Sequence, residues 1–213
     1  MTISKRVPLL IAATAILANG AIGAEVFRHT ITGEELKVLE QAPPEGRDTP
    51  AVKKFLEDGL NGYNEVKACL PKGEEAYLVA CSGCHGHVGE GKVGPGLNDN
   101  YWTYPKNTTD KGLYETIFGG AQGMMGPHSD LQIDETLKLM AWIRHLYVGE
   151  PSTAEWLTPE QQKTFKPYKA EVHADPAAAE AEAEKKVAAA AEKKSAEGDK
   201  PAADGDQCKI SGG

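Results

Sequence analysis

"ACSGCHGHVGEGKVGPGLND" (residues 80–99) places Cys81, Cys84 and His85 within five positions and follows them with glycines around Gly94-Pro95-Gly96. Three kinds of site use such a cluster: a redox thiol pair, a structural zinc and a covalently attached haem. A thioredoxin-type pair follows a strand in a βαβ setting. Here the preceding segment, Pro71–His85, repeats Ala76, Tyr77, Ala80 and Cys81 at helical spacing. A zinc site needs a second ligand pair; Cys69 does not complete another CxxC, and no paired-histidine motif follows. His87 lies beside glycine and reads as a solvated residue. The haem reading accounts for more. Two thiols three positions apart add across the two vinyl groups of one porphyrin, and the adjoining His85 reaches the iron from the same side. Glycines 83, 86, 89, 91, 94 and 96 then suit a loop that closes tightly on a flat apolar group.

A ligating histidine usually gives its other ring N–H to a carbonyl. Pro95 has no amide N–H, so its turn leaves a carbonyl free, and that carbonyl is the expected acceptor for His85. For the other face of the iron the residues offer Met124, Met125, His128, Met140 and His145. Met140 and His145 fall on a helical pattern and read as core and surface. Met124 and Met125 lie in an irregular loop and are nearly equal on the residues alone. Gly126-Pro127 sets the turn just after Met125 and favours it; His128 is the rival and reads as exposed. Tyr101 and Trp102 are the nearest aromatics, expected to pack with their polar tips satisfied by the haem.

Outward from this centre the chain reads as helices and loops, with no repeat and no convincing strand. Before the site, Asp48–Gly59 is a short helix capped by Thr49, with Pro50 first and Val52, Phe55 and Leu56 on one face. It sits in an otherwise loop-like arm over residues 25–70. After the site, Thr108–Gly120 is a helix with Asp110 as cap and Leu113, Tyr114, Ile117 and Phe118 facing inward. Gln132–Gly149 is the strongest helix, with Asp134 as cap. Leu137, Met140, Ala141 and Arg144 lie along one side; Leu139, Trp142, Ile143 and Leu146 lie along the next. One more short helix opens at Thr158-Pro159, so the haem-binding domain spans 71–168. Residues 169–213 form a low-complexity tail, locally helix-prone but without an apolar stripe.

The N-terminus addresses the compartment. A basic head, "MTISKR", precedes the apolar run Val7–Ala18 and the small residues of "NGAIGA". This is the order of a secretory signal over residues 1–24, cut between Gly20 and Ala24. The run is short of the roughly 20 apolar residues a bilayer span needs, so no membrane insertion is expected after cleavage. The formal charge is −8, and losing Lys5 and Arg6 with the leader takes it to −10. That argues against nucleic acid and anionic lipid and suits steering toward a complementary protein surface. Of four cysteines, two belong to CxxCH; a disulfide between Cys69 and Cys208 is the simple accounting for the rest in an oxidising space. An intermolecular bridge through Cys208 is the alternative.

Gly73 and Tyr77 before CxxCH, then Gly-Pro-x-Leu, a methionine loop and a Trp-bearing last helix follow the order of class I c-type cytochromes. "CSGCHGH", "EGKVGPGLNDNYWTYPKNTTDKGL", "GGAQGMMGPH" and "MAWIRHLYVG" resemble the cytochrome c-L family more specifically, from about Gly46 to Tyr168. The resemblance implies an all-α class I cytochrome c fold, with the N-terminal arm and C-terminal tail as additions. It implies one covalent haem c on Cys81 and Cys84, with His85 and Met125, the methionine before Gly-Pro, as axial ligands. It further implies a periplasmic electron carrier, not an enzyme, reduced by PQQ-dependent methanol dehydrogenase and oxidised by a smaller cytochrome c. Some members bind calcium near the haem; no segment here has a calcium-loop spacing, so the residues leave calcium open. Two other readings stand beside this one: a haem enzyme with an open axial position, and a carrier serving a different quinoprotein dehydrogenase.

Overall fold

The computed structural model describes residues 25–169, 176–197 and 208. The leader read over residues 1–24 lies outside the described residues. The elements are α1 (Val38–Gln41), α2 (Pro50–Asp58), α3 (Leu70–Ala80), α4 (Ser82–His85), α5 (Asp110–Gly119), α6 (Ile133–His145), α7 (Pro159–Thr164) and α8 (Pro176–Glu197). Short 3-10 turns cover Pro105–Thr108 and Pro151–Thr153. Among the described residues β pairing is limited to one isolated bridge, Arg28 with Glu35. No helix among them is long and apolar enough to cross a membrane.

The principal contact is the crossing of α3 on α6. It is made close by Gly73: a Cβ there would lie 2.2 Å from the Lys138 carbonyl oxygen and 3.0 Å from the Trp142 Cβ. Beside this crossing, Leu113, Tyr114, Ile117 and Phe118 of α5 are buried with Leu137, Met140 and Ile143 of α6. The arm packs into the same core. Phe27, Phe55 and Tyr114 form an aromatic trio with ring centroids 5.0–5.4 Å apart, a geometry that adds about 0.5–1.5 kcal/mol per pair beyond burial. Thr49 caps α2 by accepting from the Val52 amide, and Gly59 ends it in the left-handed region.

Three sequence expectations need correction. The predicted Pro71–His85 helix is broken at Cys81, where ψ stays helical but φ is −122°; Ser82 Oγ donates to the Leu78 carbonyl there. Asp110 does not cap α5; Thr109 does, accepting from the Gly112 amide. Asp134 does not cap α6 either, whose N-cap is Gln132. Both aspartates are buried, and each spends its oxygens on tertiary bonds. Asp134 accepts from Thr49 Oγ1 at 2.9 Å and Tyr63 OH at 2.6 Å and pairs with Lys138 at 2.9 Å. Asp110 accepts from the Asn61 amide at 3.0 Å, Asn64 Nδ2 at 2.8 Å and Arg144 Nε at 3.1 Å. A carboxylate among such donors is worth more to the fold than a solvated cap.

The low-complexity tail is ordered along α8, which lies on α3. Lys193 pairs with Glu75 at 2.8 Å and Lys186 with Glu74 at 3.7 Å, and Ala190 is buried. The tail ends in a disulfide, Cys69 to Cys208, across a separation of 139 residues. Cross-linking so long a loop restricts the unfolded chain and stabilises by about 2–5 kcal/mol. Cys208→Ser is therefore expected to lower the urea midpoint by a matching amount. An unchanged midpoint would show that the bridge contributes nothing.

Glu115 on α5 ties the arm down. It accepts from the Arg28 amide at 2.7 Å, from Lys106 at 2.6 Å and from Lys111 at 3.1 Å. Burial pushes its carboxyl up, but these donors outweigh burial and hold it below the ordinary glutamate value. A group held low in the fold stabilises fully above its unfolded pKa, about 4.3, and that contribution is lost as pH falls through the lower folded value. Glu115→Gln is expected to destabilise at pH 7 and to flatten the acid limb below about pH 4.3, as read by thermal melts across pH.

Candidate haem site

The two cysteines share one turn. The amides of Cys84 and His85 both donate to the Cys81 carbonyl, at 3.1 and 3.0 Å. Cys84 is exposed and Cys81 half-buried, and neither is in a disulfide. Burial, with the neighbouring Cys84 charge second, pushes the Cys81 thiol up to about 12. A redox or nucleophilic pair lies in surroundings that lower a thiol pKa, so the thioredoxin-type reading finds no support. Among the described residues no group of three or more His, Cys, Asp or Glu is arranged to hold a metal ion.

His85 is buried at the end of this turn, and its Nδ1 lies 2.8 Å from the Pro95 carbonyl. A carbonyl only accepts, so Nδ1 carries the proton and the Nε2 lone pair is left for a metal. The glycine loop is tied to the turn and across itself. The Gly91 amide donates to the His85 carbonyl at 2.7 Å, Gly94 to Cys84 at 2.8 Å and Leu97 to Gly89 at 2.7 Å. Tyr77 OH donates to the Gly86 carbonyl at 2.7 Å. Gly94 lies against the ring: a Cβ there would come within 2.7 Å of His85 Cε1 and 2.9 Å of Nδ1. The loop is thus a cradle for the imidazole that any side chain at Gly94 would fill.

The methionine loop follows α5 and turns at Gly120, whose φ is +81°. A Cβ at Gly120 would lie 2.9 Å from the Gly126 carbonyl carbon and from Pro127 N, so glycine lets the loop fold back on the helix end. The Ala121 amide donates to the Met125 carbonyl and the His128 amide to the Ile117 carbonyl, both at 3.0 Å. Met125 packs against the core, whereas Met124 is 83% exposed. Met140 is fully buried between helices. His145 lies 3.4 Å from Glu65 and beside Trp142 and Tyr168.

The expectation for the two aromatics divides. Tyr101 is not packed into the protein core: it is 70% exposed, and its amide donates to Asp99. Trp102 is buried, and its Nε1 has no partner among the described residues. A buried indole N–H without an acceptor is costly, and a haem carboxylate is the kind of group that would satisfy it. The site therefore fits covalent haem: two thiols on one turn, an imidazole with Nε2 available, a cradle at Gly94 and an unpartnered donor at Trp102. The roles of Gly94 against His85 and of Gly120 in the loop turn were not assigned from sequence, nor was the Asp110–Arg144 pair, which joins residues 34 positions apart.

The helical core and this site define a c-type cytochrome domain. The family model described as "Cytochrome C oxidase, cbb3-type, subunit III" matches residues 68–143. Cytochrome c-L of Methylorubrum extorquens is 63% identical over 145 residues, covering 68% of this chain and 73% of its own. The crystal structure of cytochrome cL from Hyphomicrobium denitrificans superposes with a TM-score of 0.67 at 60% identity, covering 89% of this chain and all of that one. The structure from the marine methylotroph Methylophaga aminisulfidivorans gives 0.65 at 49% identity, covering 70% and 98%. The chain belongs to the cytochrome c-L family. It is accordingly a haem c electron carrier of mainly helical, class I architecture.

Proposed function

We propose that this protein is a periplasmic one-electron carrier, reduced by PQQ-dependent methanol dehydrogenase and oxidised by a second, smaller cytochrome c. Membership of the cytochrome c-L family and the leader-like N-terminus support this reading. The observation that carries it is the His85 geometry, in which the Pro95 carbonyl fixes Nδ1–H and presents Nε2. Haem c, when bound, supplies a ferric/ferrous couple that gains and loses one electron at a time. Cys81 and Cys84 would hold it through thioethers, and His85 and Met125 would ligate its iron. Histidine–methionine ligation would raise the potential and would leave no open position for substrate. The Pro95 bond and the Gly94 cradle keep the imidazole from turning between redox states. The buried Trp102 would donate its indole N–H to a haem carboxylate.

Docking is assigned to the loops that frame the site. Gly119–Pro127 carries no ionisable side chain in a chain with 25% charged residues. Met124 in that loop and Val93 in the Val88–Gly96 loop, 67% exposed, offer apolar contacts, while the acidic remainder steers encounter. Stopped-flow reduction by calcium-type methanol dehydrogenase, set against unrelated quinoproteins and the lanthanide-type enzyme, tests the donor. Fastest reduction by the calcium-type enzyme, slowed by added salt, supports the proposal. No preference over unrelated quinoproteins defeats it.

A further inference from the structure

Arg144, 1% exposed, is the largest fully buried side chain among the described residues, and nothing in the electron-carrier reading so far uses it. Its guanidinium is held in plane by two bonds: Nε donates to Asp110 Oδ1 at 3.1 Å and Nη2 to the Asn107 carbonyl at 2.9 Å. Asp110 is anchored in turn by the Asn61 amide and Asn64 Nδ2. The guanidinium carbon then lies 5.3 Å from the centre of the Trp102 ring and 4.3 Å from that of Trp156. A buried arginine is expensive to keep. Burial pulls its pKa down against the opposing effect of Asp110. Trp102 sits in the loop before α5, outside any helix, and its indole N–H is unpartnered. The guanidinium thus lies against two indoles whose N–H groups, like its own Nη1, have no partner among the described residues.

We propose that Arg144 is a positioning residue: stacked on Trp102, and clamped by Asp110 and the Asn107 carbonyl, it fixes the indole so that Nε1–H donates to a haem carboxylate. The proposal rests on the covalent-haem reading. A planar guanidinium is required because a lysine ammonium is a point charge that neither stacks nor bonds in a fork. Losing the indole donor leaves the carboxylate charge less compensated, which favours ferric iron.

The test uses the full-length holoprotein with Trp102→Phe, Arg144→Lys and the double variant. Midpoint potentials are measured across pH, and Trp102 indole N–H exchange is followed by NMR in the ferrous state. Each single variant is expected to shift the couple toward ferric by about three- to tenfold, where tenfold is about 59 mV for one electron. Each is also expected to move the pH dependence of the potential, and Arg144→Lys to speed indole exchange. The double variant should shift no further than Trp102→Phe alone. An Arg144→Lys protein with wild-type potential and exchange overturns the proposal, as does full additivity in the double variant. Should Arg144→Lys not fold, the wild type decides: a slowly exchanging indole resonance that responds to haem carboxylate protonation supports the role, and fast exchange sinks it. Acidified acetone is applied to every sample. Pigment that extracts defeats covalent haem itself, whereas retained pigment with an unshifted potential defeats only the role of Arg144.

Discussion

Met125→Ala is expected to bind carbon monoxide in the ferrous state, lose the weak far-red methionine-to-iron band in the ferric state, and fall in midpoint potential. Met124→Ala should do none of these. The two residues are chain neighbours of one type, so composition and local volume cannot explain a difference between them. What separates them is placement: Met125 lies against the core and Met124 is in solvent. Removing a thioether ligand strips the stabilisation it gives to ferrous iron. We expect a shift toward ferric of at least a hundredfold, about 120 mV at 59 mV per decade. Carbon monoxide binding by the wild-type protein would instead support an open-site haem enzyme. The far-red band disappearing in Met124→Ala, or in His128→Ala, would move the ligand to that residue.

Gly73→Val is expected to be strongly damaging although it lies remote from the site. The Lys138 carbonyl already lies 2.2 Å from where a Cβ would stand, so α3 and α6 would have to separate. Backbone cannot rotate away as a flexible side chain can, and close-packed interiors transmit such a displacement. Overpacking typically costs about 1–3 kcal/mol; a side chain driven into a backbone carbonyl at the main helix crossing belongs at or above the top of that range. Because α3 leads directly into the cysteine turn, loss of haem incorporation should accompany loss of stability. Urea denaturation and haem content per polypeptide read both. A variant with wild-type midpoint and full haem content would show that the crossing tolerates separation.

The helices around the site were legible because their signals are local. Thr49-Pro50 opens α2, and Val52 and Phe55 bury on one face as their spacing requires. Leu113, Tyr114, Ile117 and Phe118 do the same on α5. The pairing of His85 with the Pro95 carbonyl was also within reach, since ten residues of glycine-rich loop can close on themselves. The roles of Asp110 and Asp134 were misread for the same reason that made the helices readable. An aspartate at a helix start looks like a cap, and only the neighbours brought by other elements, Arg144 and Asn64 for one and Thr49 and Tyr63 for the other, turn it inward.

The tail shows that division most clearly. Its composition lacks an apolar stripe, so nothing in it announces a docking face. Yet α8 lies on α3 because Lys186 and Lys193 meet Glu74 and Glu75, more than a hundred positions away. CxxCH, the capped helices and the class of cofactor were set by the amino-acid order alone, because covalent chemistry and helical periodicity act over a few residues. Which methionine faces inward, which carboxylates are buried, where the arm and tail rest and what holds Trp102 were decided by the tertiary structure. Burial and electrostatic partnership are properties of the folded whole, created when segments distant in the chain exclude water together.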